Sequence, residues 1–243
     1  MPSYKTEAII INRLNLGESD RILTLFSPSK GKIRAIAKGS RRTKSKFSGH
    51  TELFTLCDFI ISTGKSLDII TDSDLVSNFL ALNPDMESVK TAYFMAEVIS
   101  KLLPDDQPNQ EVYDLFLWCL RNLGTSETNL IRLIFVSRML KIFGIYPELG
   151  KCIKCEVKPS EEVVYFSKMA GGIIDKSCSL HFEDAIRVNK DVIKLWRYLA
   201  NVSFAELLKL KPDPKLSQST SELALEYLRC MTMIDYRSIR VLS

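Results

Sequence analysis

Two short motifs in the second half of the chain carry residues that bind metal ions. Cys152 and Cys155 form a C-x-x-C pair, and 22 residues later Cys178 and His181 form a C-x-x-H pair. Each pair fits on one tight turn, and two such turns supply three thiolates and one imidazole to a tetrahedral zinc ion. The spacing predicts one structural Zn²⁺ per chain, against the alternative of four unrelated residues in a reducing compartment.

A cluster of basic residues lies near the N-terminus. Residues 1–80 carry 12 Lys/Arg and 8 Asp/Glu, whereas residues 81–243 carry 21 of each, and the sequence between Asp20 and Glu52 contains no acidic residue. Clustered cations bind nucleic acid because they release the counterions condensed on its phosphates. The pattern favours a phosphate-binding surface over a solvated loop balanced by distant acids. Its predicted residues are Lys30, Lys32, Arg34, Lys38, Arg41, Arg42, Lys44 and Lys46.

Motifs typical of enzymes are incomplete in this sequence. His181-Phe182-Glu183 is an H-x-E motif, but in zinc deaminases that motif precedes the C-x-x-C pair, whereas here it follows. Gly64-Lys65-Ser66 resembles the end of a phosphate-binding loop, yet Phe59 stands where that loop needs glycine. We therefore expect binding without catalysis, and we expect His50 to contact phosphate or backbone.

The elements that must position the basic cluster are predicted to be strands. Short apolar or alternating runs are separated by turn-forming residues, as expected for a small barrel that closes its own edges. The predicted strands are Ala8–Ile11, Arg21–Phe26, Lys32–Ala37, Phe54–Ile61 and Leu67–Ile70.

The pattern changes near Asn83-Pro84 to the spacing of amphipathic helices. A capping box formed by Ser219 and Glu222 predicts the start of the last helix. The predicted helices cover 89–103, 112–123, 130–143, 191–199 and 221–233. We assign to the core the aromatic residues Tyr93, Phe94, Phe116, Trp118, Phe135 and Trp196, and the isolated cysteines Cys57, Cys119 and Cys230.

The composition is that of a globular protein. Hydrophobic residues make up 46% and charged residues 26% of the 243 residues, which argues against a disordered chain. The sequence contains no uninterrupted apolar run of about 18 residues, so no membrane-spanning helix is expected. The first residues lack the pattern of a secretory signal. These features predict a cytoplasmic protein with reduced thiols.

Distinctive residue patterns occur at 17–21, 23–26, 31–42, 44–47, 165–167 and 171–172. In these segments the sequence resembles the RecO family of bacterial DNA repair and recombination mediators. The resemblance covers most of the chain and is most distinctive in the N-terminal block. One departure concerns the metal site, because family members that have it commonly carry cysteine at all four positions and here the fourth is His181.

This resemblance implies an α+β fold with an N-terminal OB-fold β-barrel, followed by an α-helical domain that carries a small zinc-binding insertion. The same partition follows from the patterns above. We expect an OB-fold nucleic-acid-binding domain at 1–80, a helical domain at 81–148 and 183–243, and the zinc-binding insertion at 149–182.

The resemblance also implies a function. Such proteins bind single- and double-stranded DNA, anneal complementary strands and, with the partner RecR, help to load RecA on DNA coated with single-strand DNA-binding protein. The C-terminal tail of that coating protein is expected to dock on the helical region. The alternative from a different class is an RNA-binding or ribosome-associated OB-fold protein with a structural zinc; an enzyme with a nucleotide substrate comes third.

Overall fold

The structure is a computed structural model that describes residues 2–47, 49–80, 85–124, 127–159, 163–207 and 209–242. The boundary predicted near Asn83-Pro84 lies outside these residues. The strands are β1 (Ser3–Leu16), β2 (Asp20–Ser27), β3 (Gly31–Ala37), β4 (Thr55–Ser62), β5 (Asp68–Asn78), β6 (Val163–Ser167), β7 (Gly172–Ile174) and β8 (Ile186–Asn189). The helices are α1 (Met86–Leu102), α2 (Gln110–Asn122), α3 (Thr128–Ile142), α4 (Lys190–Leu199), α5 (Phe204–Leu207), α6 (Pro214–Thr232) and α7 (Ile239–Leu242), with a 3₁₀ helix at Lys176–His181.

Strands β1 to β5 form a closed barrel in the order β1-β2-β3-β5-β4, with β4 pairing back to β1. Neighbouring strands are antiparallel except β3 and β5, which run parallel. This ring has the connectivity of an OB-fold, as predicted. Alternating residues point inward and fill the barrel, among them Ala8, Ile10, Leu23, Leu25, Ile33, Ala35, Phe59 and Ile61.

The chain divides into two compact units. The first comprises residues 1–124 and 236–243, so α1 and α2 belong with the barrel. In this unit Phe26 of β2 packs against Tyr113 and Phe116 of α2, and the Tyr113 hydroxyl donates a hydrogen bond to Glu7 at 2.7 Å. The four-part division of the sequence proposed above stays a prediction.

The second unit comprises residues 125–235. Helix α3 packs against α6 and α4, and β6 is the central strand of a three-stranded sheet in the order β7-β6-β8. Trp196 is fully buried and lies 5.7 Å from the ring of Phe166 and 5.8 Å from that of Tyr227, measured between centroids. The aromatic core is therefore shared by helix and sheet residues.

Five helices predicted from periodicity are present, with one large shift in position. Helix α6 begins at Pro214, where the Asp213 carboxylate accepts hydrogen bonds from the N–H groups of Lys215 and Leu216. The predicted start at the Ser219 capping box was wrong because Asp213-Pro214 provides an earlier cap. The core assignment was also wrong for Tyr93, which is 48% exposed although its ring contacts Phe54.

Within the described residues, no helix is both long and apolar enough to cross a membrane.

The C-terminal segment is fastened to α1 by one carboxylate. Glu97 accepts hydrogen bonds from the N–H groups of Arg237 and Ser238 and from the Ser238 hydroxyl, and it pairs with Lys101 at 2.8 Å. Partial burial would raise the pKa of Glu97, but these contacts outweigh it and lower that pKa to about 2.

We predict that Glu97→Gln destabilises the protein by about 1–2 kcal/mol at pH 7, a range that allows for solvent screening of a partly exposed group. The folded pKa lies below the unfolded value near 4.5, so the stabilisation is present above that value and is lost as the pH falls toward 2. Urea unfolding of both proteins from pH 7 to pH 2.5 measures this difference. Glu87→Gln, on the same helix, is the control. A difference in unfolding free energy between the wild type and Glu97→Gln that does not change with pH contradicts the prediction.

Candidate functional site

The connection between β3 and β4 carries most of the predicted basic cluster. It spans residues 38–54, of which Ser48 lies outside the described residues. Lys38, Arg41, Arg42 and Lys44 are exposed on it, as is Arg34 on β3. The side chains of Arg34, Lys38, Arg42 and Lys44 form no hydrogen bond or ion pair within the described part of the chain. Their charges are therefore available to a ligand.

Lys32 differs from the other residues of the predicted cluster. It is 8% exposed, and its ammonium group donates to the Ser100 carbonyl at 2.7 Å and pairs with Asp105 at 3.0 Å. The backbone of Gln107 crosses so close to Gly31 that a Cβ there would lie 2.2 Å from the Gln107 carbonyl oxygen. Lys32 thus joins β3 to the segment after α1, and its charge is already neutralised.

The start of the basic connection is attached to the turn between β1 and β2. The Asp20 carboxylate accepts the Gly39 N–H at 2.7 Å, and the Arg41 N–H donates to the Ser19 carbonyl at 2.9 Å. The Arg41 guanidinium also reaches the Gly17 carbonyl at 3.0 Å. The sequence marks residues 17–20 as a turn, but it does not show that this turn holds the basic segment.

The far end of the connection is attached to β5. Lys46 donates to the Thr71 carbonyl and pairs with Asp72 at 3.3 Å, and Phe47 is buried in the barrel core. His50 contacts the Ser73 carbonyl through Nδ1 at 3.0 Å. The predicted backbone contact of His50 is present, and it joins the connection to strand β5 of the barrel.

Glu52 takes up two further cations of the barrel. Arg13 and Arg21 both donate to its carboxylate, Arg21 at 3.1 Å. Burial raises the pKa of Glu52, but the bonds from Arg21 and Arg13 more than offset this and hold the pKa below its usual value. Glu52 thus pairs with two cations of β1 and β2 that lie outside the predicted basic cluster.

The outer face of β2 and β3 continues the basic surface. Arg34 lies directly opposite Thr24 in the antiparallel ladder, with its side chain exposed. At the other end of β3, Lys30 lies 5.1 Å from the centre of the Tyr4 ring. In OB-folds the face of strands 2 and 3, together with the β1–β2 and β4–β5 loops, binds oligonucleotides.

The second candidate site is a cluster of three cysteines. The sulfur atoms of Cys152, Cys155 and Cys178 all lie within 4.8 Å of one another. Around a tetrahedral zinc ion with Zn–S bonds of 2.3 Å, sulfur atoms are about 3.8 Å apart, so a small adjustment accommodates a metal. Of the four ligands predicted from the spacing, the structure thus brings three close together.

His181 is not part of the group of ligand atoms that the structure brings together. It is exposed at the end of the 3₁₀ helix Lys176–His181, three residues after Cys178. With three residues per turn, side chains at i and i+3 in such a helix lie above one another. His181 is therefore on the same side of the helix as the Cys178 thiol.

The backbone around Cys152 favours its thiolate form. Burial raises the pKa of Cys152, but the N–H groups of Asp175, Cys155 and Lys154 bond to the sulfur and lower the pKa to about 7. The Glu156 N–H closes the turn on the Cys152 carbonyl at 2.9 Å. A deprotonated sulfur on a tight turn is the form that metal ions bind.

The second unit also contains a cavity of about 290 Å³, which is lined in part by residues of β6 and β7. Apolar side chains form part of its wall, and four cationic residues also line it, of which Lys194 pairs with Asp191 at 2.8 Å. Lys190 is bonded to the Pro159 carbonyl, whereas the Arg197 contact with the Leu149 carbonyl is long, at 3.5 Å. The apolar and cationic lining residues include Val164, Ile173, Lys158, Lys190, Lys194 and Arg197.

Two protein-family models match the chain. The model described as "Recombination protein O N terminal" matches residues 1–79, and "Recombination protein O C terminal" matches residues 84–237. The first match covers the barrel with its basic connection, and the second covers the cysteine cluster and the cavity.

Curated relatives agree with these models over nearly the whole chain. A DNA repair protein RecO of Dehalococcoides mccartyi is 32% identical over 91% of this chain and 87% of that protein. Those of Caldanaerobacter subterraneus and Roseiflexus are 30% and 31% identical, each over 98% of this chain and over 96% and 84% of their own lengths.

Proposed function

The chain belongs to the RecO family of DNA repair proteins, and we propose that it binds single- and double-stranded DNA through the barrel as a recombination mediator. The observation that carries this proposal is a set of exposed cations on β3 and the β3–β4 connection that have no hydrogen-bond or ion-pair partner among the described residues. Arg34, Lys38, Arg42 and Lys44 form the centre of the proposed surface, with Lys30, Arg41 and Lys46 at its margins. Lys32 contributes to folding instead.

Binding of this kind contacts the phosphate backbone with little reading of bases. A positive surface also reduces the repulsion between two DNA strands, which supports a role in strand annealing. Membership of the family supports RecR as a partner and RecA loading on coated single strands as the outcome. In this proposal the protein acts in the cytoplasm at the nucleoid, by binding and without catalysing a reaction.

Replacing Arg34 and Arg42 together by glutamine is expected to weaken DNA binding for all sequences alike. Each lost phosphate contact lowers the slope of log K against log salt by about 0.7–0.9, so the double variant should lose about 1.4–1.8. Fluorescence anisotropy with labelled oligonucleotides at several salt concentrations measures this slope.

The matched control is Lys5→Gln with Lys90→Gln, which removes the same charge from positions outside the proposed surface. An unchanged slope in the Arg34/Arg42 variant, or the same loss in the control, contradicts the proposed surface. The binding and annealing assays should use matched DNA and RNA strands, because a preference for structured RNA would favour the alternative of an RNA-binding OB-fold protein.

We further propose that the cysteine cluster holds one structural Zn²⁺. The fit rests on the three close sulfur atoms and on the backbone N–H groups that stabilise the Cys152 thiolate. His181 is the proposed fourth ligand, since the 3₁₀ helix places it over Cys178. When bound, zinc would cross-link the two turns, and a site with four protein ligands leaves no position for reactive water.

Cys155→Ser is expected to lose the zinc and to lower the unfolding temperature by about 6–12 °C, equivalent to roughly 3 kcal/mol for a chain of this size. Metal analysis should give one zinc per wild-type chain, and His181→Ala should weaken zinc binding. Cys230→Ser, outside the cluster, is the control. Zinc-free wild-type protein that unfolds at the same temperature as the zinc-bound form would contradict a structural role.

The lining of the cavity in the second unit supports the proposal of one further partner. The tail of single-strand DNA-binding protein offers a terminal carboxylate and aspartates beside an apolar anchor, and these features complement a lining that combines cationic and apolar side chains. We propose that the tail docks in the cavity lined by Val164 and Ile173, with Lys158 and Arg197 facing its carboxylates.

A fluorescent peptide of that tail should bind the full-length protein, and binding should weaken with salt. The full chain is used because α1 and α2 form a unit with the barrel. Lys158→Gln with Arg197→Gln should weaken binding about tenfold or more. The control, Lys211→Gln with Lys215→Gln, changes exposed lysines elsewhere in the same unit; equal loss in both variants would contradict docking in the cavity.

A further inference from the structure

An acidic residue lies at the base of the proposed DNA-binding surface. Asp20 begins β2, and its carboxylate is close enough to Arg42 and Lys38 to interact with their charges. By charge alone this carboxylate repels the phosphates that the surface is proposed to bind. Its presence there calls for a role that outweighs this repulsion.

The contacts of Asp20 indicate such a role. Its Oδ1 accepts the Gly39 N–H at 2.7 Å and the Ser19 hydroxyl at 3.0 Å. Gly39 has a φ of +65°, a left-handed conformation that needs to be held in place at the point where the chain leaves β3. The pKa of Asp20 is lowered, first by the Gly39 N–H, so the carboxylate is ionised at neutral pH.

The conformation held at Gly39 determines the position of the cations that follow. The Arg42 side chain lies along Gly39, with Cδ 3.6 Å from where a Cβ would be, and the Arg42 N–H bonds to the Gly39 carbonyl at 3.1 Å. Phe47 and Lys46 fasten the other end of the connection to the barrel independently. The first half therefore depends on the turn that contains Asp20.

We infer that Asp20 is a positioning residue, whose carboxylate orders residues 38–42 before DNA arrives so that Lys38 and Arg42 meet the phosphates in a fixed arrangement. This inference rests on the proposed DNA-binding function. Without the carboxylate, the segment must be ordered at the moment of binding, and that entropy cost reduces the affinity.

The direction of the affinity change separates positioning from simple charge. Asp20→Ala removes both the acceptor and the negative charge, and we expect DNA binding about five- to tenfold weaker with an unchanged salt slope, since no phosphate contact is removed. Asp20→Asn keeps an acceptor oxygen and should recover part of the loss. If charge alone acted, both variants would bind DNA more tightly than the wild type, and that result would overturn the inference.

Glu18→Gln is the matched control, because it removes one negative charge from the same turn at an exposed side chain. It should bind DNA at the wild-type affinity or up to about twofold more tightly. A loss in Glu18→Gln equal to that in Asp20→Ala would overturn a specific role for Asp20.

Hydrogen exchange of the Gly39 amide tests the inference without DNA. In free Asp20→Ala this amide should exchange at least about tenfold faster than in the wild type, while amides in the barrel strands keep their protection. Unchanged Gly39 exchange overturns the positioning role even if DNA binding falls. If the wild-type protein binds no DNA, the proposed function is wrong, whereas the exchange measurement still shows whether Asp20 orders the Gly39 segment.

Discussion

The parallel pairing of β3 with β5 is the constraint on which the first unit depends. Ala35 and Ile36 pair with Asp68 and Ile69, and this short ladder closes the barrel. Strand β4 lies beyond β5, so no tight hairpin can join β3 to β4 and a long connection is required. The register of β2 and β3 then fixes where that connection starts, because Arg21 pairs with Ala37 and the next residues outward are Asp20 and Lys38.

Ion pairs within the first unit leave some of its cations available to a ligand and engage others. Glu52 takes Arg13 and Arg21, and Asp105 takes Lys32. These pairs join strands and loops that are distant in sequence. Arg34, Lys38, Arg42 and Lys44 have no such partner among the described residues, and they lie on β3 and on the connection that follows it. The net charge of the sequence does not show which cations are paired within the fold and which remain available.

Periodic and local features of this chain were predictable from its sequence, and long-range ones were not. Short apolar or alternating runs identified the barrel strands, and the C-x-x-C and C-x-x-H spacings identified three thiols that the structure brings together. The three-stranded sheet was missed: its β6–β7 hairpin turns at Gly171-Gly172, but its strands are only three to five residues long, and β8 joins β6 from more than ten residues further along the chain. The burial of Lys32 was missed for a related reason, since its partner Asp105 comes from another element, 73 positions further along.

The cysteine cluster and the cavity of the second unit are connected through the backbone. The Ile153 N–H, within the first C-x-x-C turn, donates to the Ile173 carbonyl at 3.0 Å, and the Ile173 N–H donates to the Glu148 carbonyl at 2.9 Å. Ile173 also lines the cavity. The buried core around the cluster is small, with Cys152, Cys178 and Ile174 at its centre. A core of this size gains much of its stability from cross-links, so a metal held by the thiols would also maintain the wall of the cavity.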